Sequence, residues 1–132
     1  MTEEIDYENL MDLFRLDDKI SIVTGASRGI GRAVAVALAR AGCDLLLAAR
    51  SESDLAETAG MVEKTGRKAL VVPTDVSDFD SVTAMAGAAQ REWGKIDILV
   101  NNAGTGSTKF IMDLPVEEWK EIVDCNLTGT FL

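Results

Sequence analysis

The chain contains no histidine, which removes the side chain most often used as a metal ligand or as a general base near neutral pH. Its two cysteines, Cys43 and Cys125, are too few for a disulfide framework and lack metal-ligand spacing, so they read as buried thiols of a reducing compartment. No metal site is expected. Basic residues are scarce as well: 13 Lys and Arg face 22 Asp and Glu, for a net charge of −9. No basic stripe is available to neutralise nucleic-acid phosphates. Any anion bound here must be held by individual cations and backbone dipoles against an unfavourable overall field. No apolar run is long enough to span a bilayer. The N-terminus, Met1 to Asp6, is acidic where a secretory or transit leader would be basic, so a cytoplasmic location is expected. Aromatics make up only 5%, and the abundant small and aliphatic residues suit close helix–sheet packing.

What is present is a regular alternation. Residues 1–18 form an N-terminal extension in which Leu10, Leu13 and Phe14 have helical spacing and are expected to pack on the domain surface. From Lys19 onward, short apolar strands are predicted at Ile20–Thr24, Leu45–Ala49, Ala69–Val72 and Ile96–Val100. Between them run amphipathic helices marked by Ile30, Val34 and Leu38, by Leu55, Ala59 and Val62, and by Val82, Met85, Ala89 and Trp93. Gly42, Gly66 and Gly94 supply the stops, and Ser77 with Asp80 resembles a capping box. A last helix begins near Pro115, with Glu117 and Glu118 in its first turn. Trp119, Ile122, Val123 and Asn126 share one of its faces. Unbroken apolar strands alternating with helices imply an α/β fold, a doubly wound parallel sheet with helices on both faces. Residues 19–132 form one domain, ending after the fourth strand and its helix.

Residues 24 to 31, Thr-Gly-Ala-Ser-Arg-Gly-Ile-Gly, occupy the turn from the first strand into the first helix. Gly25, Gly29 and Gly31 allow bare backbone N–H groups to approach a pyrophosphate at a helix N-terminus, which points to dinucleotide binding. An NAD-type site has an acid about 20 residues further on, at the end of the second strand, to hold the ribose 2′-hydroxyl. The sequence there is Ala48-Ala49-Arg50-Ser51, without an acid. Arg50 at this position and Arg28 inside the glycine turn suit a 2′-phosphate instead, so the expected coenzyme is NADP(H).

Four separate motifs now stand in order: Thr24-Gly25-x-x-x-Gly29-x-Gly31, Asp75 past the third strand, Asn101-Asn102-Ala103-Gly104 after the fourth, and Asn126 in the helix beyond. In this order and spacing the chain resembles the short-chain dehydrogenase/reductase family from about residue 19 onward. Within it, the chain is similar to 3-oxoacyl-[acyl-carrier-protein] reductases and gluconate 5-dehydrogenase-like members. The resemblance implies a Rossmann-type fold and an NADPH-dependent oxidoreductase that interconverts a carbonyl and an alcohol on a small molecule. It also implies a homo-oligomer, dimer or tetramer, with no nucleic-acid or membrane partner. By the same resemblance, Gly25, Ser27, Arg28, Gly29, Ile30 and Gly31 line the pyrophosphate and ribose. Arg50 meets the 2′-phosphate, Asp75 accepts from the adenine amino group, and Val76 flanks it. Asn102, Ala103 and Gly104 run along the coenzyme, and Asn101 ties neighbouring strands. Asn126 is the one catalytic residue, positioning a water in a proton relay. Its alternative role is a buried amide bridging backbone groups.

The family's Tyr-x-x-x-Lys element is missing. The single tyrosine, Tyr7, precedes the first strand and is followed four residues later by Met11. The residues present therefore account for coenzyme binding but not for turnover, which needs an aligned proton donor. The expectation is an amino-terminal half of a longer reductase, inactive by itself, whose fourth strand offers an open edge. The rival reading is a non-catalytic nucleotide-binding or scaffold module of the same fold, and a third is a fragment completed by a partner chain.

Overall fold

A computed structural model describes residues 12–132. The elements run β1 (Ile20–Thr24), α1 (Gly29–Ala41), β2 (Asp44–Ala49), α2 (Glu52–Glu63), β3 (Ala69–Pro73), α3 (Phe79–Trp93) and β4 (Ile98–Val100). A 3₁₀ turn (Ile111–Asp113), α4 (Val116–Val123), a π-turn (Asp124–Thr128) and the short α5 (Gly129–Phe131) follow. All strands are parallel and the sheet order is β3-β2-β1-β4. The chain winds outward from β1 to β3, then crosses back to place β4 on the other side of β1. This reversal opens a crevice at the carboxyl ends of β1 and β4, where open α/β sheets bind ligands. The Rossmann-type α/β fold expected from the strand and helix pattern is the fold observed.

Alternate strand residues point to opposite faces, and each face has its own core. Val23, Leu45 and Leu47 pack against Ala35 and Ala39 of α1 and Leu55, Ala59 and Val62 of α2. Ile22, Leu46 and Ala48 pack on the reverse face against Met85 and Ala89 of α3. Alanines at these contacts bring the helices close to the sheet. β1 is buried along its whole length, and Leu45 through Ala48 of β2 beside it are fully buried. Among the described residues β3 and β4 are the edges, and Leu99 of β4 is half-exposed.

Several local expectations shift. α3 is capped by Asp78 rather than by Ser77: the Asp78 carboxylate accepts from the N–H groups of Asp80 (2.9 Å) and Ser81 (3.4 Å). Ser77 lies one residue before the cap position and donates both its hydroxyl and its N–H to Asp75. α2 ends at Glu63, and Gly66 sits in the turn beyond, its N–H bonded to the Glu63 carbonyl. Leu13 and Phe14 are exposed rather than packed, and Leu16 contacts the core instead. Leu10 and Tyr7 lie outside the described residues.

β4 begins two residues later than its apolar run predicts because Asp97 is used as a clamp. Its carboxylate accepts from the Ile20 N–H at 2.8 Å while its own N–H donates to the Ile20 carbonyl at 2.9 Å. Lys95 pairs with the same carboxylate at 3.1 Å and Lys19 lies at 3.9 Å. The Ile20 hydrogen bond, followed by Lys95, holds the Asp97 carboxyl below the ordinary carboxylate range. A carboxyl whose folded pKa is depressed stabilises above its unfolded pKa, and that contribution fades as pH falls through the folded value. Asp97→Asn is therefore expected to lower the melting temperature at pH 7, with the gap to wild type closing in acid. A gap of constant size from pH 7 to pH 2 would refute the clamp.

Candidate functional site

The crevice at the carboxyl ends of β1 and β4 is a cavity of about 820 Å³. Its wall includes Gly25, Ser27, Arg28, Ile30 and Gly31 from the first turn, Arg50 after β2, and Asp75 and Val76 after β3. Asn102, Ala103 and Gly104 after β4 complete it. Eleven of the twelve residues expected to contact a coenzyme therefore surround one space. The twelfth, Gly29, belongs to the same turn but does not line the cavity.

The three glycines of the turn are required for different reasons. Gly25 has φ +66°, and a Cβ there would lie 2.8 Å from both Ala103 Cα and Asn102 Nδ2. At Gly31 a Cβ would sit 2.1 Å from the Gly25 carbonyl oxygen and 2.5 Å from Asn102 Nδ2. Gly29 has φ +57° and nothing within 4 Å, so conformation and not contact demands glycine there. Backbone thus packs on backbone behind the turn, leaving its front open.

The head of α1 is the only one of the three long helix N-termini without a side-chain cap. Arg28 occupies the N-cap position with no capping hydrogen bond, and no acid stands in the first turn. Ser51 and Asp78 cap α2 and α3, each with acids nearby. The free N–H groups and positive dipole end of α1 consequently face the cavity, an arrangement suited to an anion.

Arg28, in the turn, and Arg50, just past β2, are both exposed, line this cavity, and have no ion-pair partner among the described residues. No acid stands at the end of β2. Asp75 is an acid of the same wall, as are Asp54, Glu121 and Asp124. The Asp75 Oδ1 accepts from the Ser77 hydroxyl at 2.6 Å and the Ser77 N–H at 2.9 Å. These bonds, in that order, with a smaller pull from Arg50, hold its carboxyl below the ordinary range. It is ionised at neutral pH, and Oδ2 has no partner among the described residues. Val76 beside it is buried under Gly129, where a Cβ would touch the Val76 side chain at 2.9 Å.

Asn102 does something the sequence did not reveal. Its amide Nδ2 donates to the carbonyls of Thr24 (3.0 Å) and Gly25 (3.3 Å), lashing the β4 loop to the glycine turn. The tie between strands expected of Asn101 is made by its neighbour. Thr24 completes the lashing: its hydroxyl accepts from the N–H groups of Asn102 (3.1 Å) and Ala103 (3.0 Å). The signal for Thr24 was its place immediately before Gly25, in a strand where an aliphatic side chain would otherwise serve.

Asn126 is not buried on an apolar stripe. It is exposed, in the π-turn Asp124–Thr128 that interrupts the helix after Val123. A π-turn inserts extra backbone and rotates the residues within it off the preceding helical face. Asn126 instead reads the backbone of Thr105, accepting from its N–H at 2.8 Å and donating to its carbonyl at 2.8 Å. Gly104 lies beside this amide, a Cβ there coming 3.3 Å from Oδ1. The bridging-amide alternative describes these contacts. A Lys109–Glu118 ion pair ties the same loop to α4 further along. Cys125, expected to be buried like Cys43, is only partly covered and forms part of the cavity wall.

The short chain dehydrogenase family matches residues 19–132. That is nearly the whole chain and includes every motif above. The protein belongs to the short-chain dehydrogenase family. A 3beta-hydroxysteroid dehydrogenase of Mediterraneibacter gnavus is 39% identical over 118 residues, covering 89% of this chain and 43% of that relative. Among solved structures, a short-chain type dehydrogenase/reductase from Mycobacterium marinum superposes with TM-score 0.89 at 43% identity, over 92% of this chain and 49% of that one. Carveol dehydrogenase from Mycobacterium avium in complex with NAD superposes with TM-score 0.83 at 31% identity, over 89% and 47%. This short-chain dehydrogenase chain thus spans less than half the length of each of these relatives.

Proposed function

We propose that the protein is an NADP(H)-dependent oxidoreductase interconverting a carbonyl and an alcohol on a small molecule, and that these residues form its coenzyme-binding half. The reading rests on Arg28 and Arg50 flanking an uncapped helix N-terminus, with no acid at the end of β2. A 2′-phosphate would be repelled by a carboxylate at that point and attracted by two guanidiniums. Each charge-assisted bond contributes about 1.5–3 kcal/mol, roughly ten- to a hundredfold in affinity. The N–H groups of the glycine turn hold the pyrophosphate, and the free oxygen of Asp75 accepts from the adenine amino group. Ala103 and Gly104 allow backbone to approach the ribose. The coenzyme, when bound, supplies a hydride donor or acceptor.

Asn126 fixes Thr105 at the rim of the cavity and supports a proton relay from there. No Tyr-x-x-x-Lys element occurs in these 132 residues, so by themselves they capture coenzyme without turnover. Assembly as a dimer or tetramer in the cytoplasm belongs to the same proposal, and no described helix is long and apolar enough to cross a membrane.

Fluorescence titration with NADPH and NADH provides the test. NADPH is expected to bind at least about tenfold more tightly at moderate salt. Equal affinities, or a preference for NADH, would defeat the assignment.

A further inference from the structure

The glycine turn is gripped from behind by two side chains that do not line the cavity. Thr58 in α2 is fully buried, and its hydroxyl donates to the Ala26 carbonyl at 2.9 Å. The same hydroxyl accepts from Arg32 Nε at 3.0 Å. Arg32, on α1, donates through Nη2 to the Ser27 carbonyl at 2.5 Å and to Glu57 at 3.0 Å. The Ala26 carbonyl is therefore held by α2 itself, and the Ser27 carbonyl by a guanidinium that extends from α1 onto α2.

A trans peptide plane points its N–H opposite to its C=O. Holding the Ala26 and Ser27 carbonyls on that side thus turns the N–H groups of Ser27 and Arg28 away from it. Neither N–H has an acceptor among the described residues. The same bracket fixes the peptide from which the Arg28 side chain departs. α2 also begins directly after Arg50, its first turn capped by Ser51. α2 therefore follows Arg50 directly and grips the Ala26–Ser27 peptide from its second turn, while Arg32 of α1 grips the Ser27–Arg28 peptide.

We propose that Thr58 and Arg32 are positioning residues for coenzyme choice, holding the successive Ala26–Ser27 and Ser27–Arg28 peptides so that Arg28 and Arg50 converge on one 2′-phosphate. The inference rests on the NADP(H) reading above and names what enforces it. Thr58→Val keeps the side-chain shape and removes the hydroxyl, whereas Thr58→Ser retains it.

The experiment measures dissociation constants for NADPH and NADH together with the melting temperature, in wild type, Thr58→Val, Thr58→Ser and Arg32→Lys. Thr58→Val and Arg32→Lys are expected to lower the NADPH-over-NADH preference by about three- to tenfold, the effect of one lost hydrogen bond, with NADH affinity nearly unchanged. Thr58→Ser is expected to restore the wild-type ratio. Equal weakening of both coenzymes would show a merely structural bracket and overturn the inference, as would an unchanged ratio in Arg32→Lys if Thr58→Val does not fold. A wild-type ratio near one overturns the NADP(H) reading and the inference with it. A wild-type preference that survives both variants overturns the inference alone.

Discussion

Gly31→Ala is expected to destabilise the protein severely and abolish coenzyme capture, while Gly29→Ala leaves a folded protein. At Gly31 the added methyl would meet the Gly25 carbonyl oxygen at 2.1 Å and Asn102 Nδ2 at 2.5 Å. Neither neighbour can yield cheaply. One is backbone, and the other is fixed by its bonds to Thr24 and Gly25. Relief means drawing α1 away from the turn and breaking both of those bonds. Overpacking together with two lost hydrogen bonds costs roughly 2–6 kcal/mol. At Gly29 the methyl meets nothing within 4 Å, so only the left-handed backbone is penalised, by about 1–2 kcal/mol. Urea denaturation of both variants tests this ranking. Equal losses at the two positions, or a Gly31→Ala protein as stable as wild type, would contradict the close backbone packing behind the cradle.

Arg50→Asp is expected to weaken NADPH by about a hundredfold and to strengthen NADH, reversing the preference. On the NADP(H) reading the substitution removes one of the two cations proposed to meet the 2′-phosphate and installs an acceptor for a ribose 2′-hydroxyl where β2 ends. Asp75 adds to the effect. Arg50 helps hold its carboxyl ionised, so the variant sets two anions side by side against an incoming phosphate. Titration with both coenzymes checks the outcome. Unchanged selectivity would show that Arg50 is a solvated loop residue.

The parts legible from sequence are those set by neighbours along the chain. Ile20–Thr24 is recognisable as a strand because Ile20, Ile22 and Val23, broken only by the small Ser21, fit a strand buried on both faces. α1 was recognisable from its four-residue spacing and the glycine that stops it. The glycine turn and the missing acid after Ala49 were equally local, and so was their placement at the carboxyl ends of parallel strands. What was misread involves partners distant in sequence. Ile96 and Asp97 belong by composition to β4, but Asp97 is claimed by Ile20, 77 residues earlier. Ser77 has the chemistry of a cap, yet Asp75 takes its hydroxyl and Asp78 the helix.

The asparagines show the same division. The family resemblance placed Asn102 and Asn126 near one another, and Asn102 lines the cavity while Asn126 stands behind Gly104 and Thr105 of its wall. Their tasks were invisible, because an amide can donate or accept in any direction and its partners are chosen by folding. Asn102 finds two carbonyls at the end of β1, and Asn126 is carried by a π-turn to the backbone of Thr105. Periodicity and glycine placement along the chain are enough to specify a parallel α/β sheet with a glycine turn at its switch point, since both follow from local backbone preference and burial. Which side chains grip that turn from behind follows only from α1 and α2 meeting across it, because Thr58 and Arg32 reach carbonyls that lie remote from Thr58 in sequence.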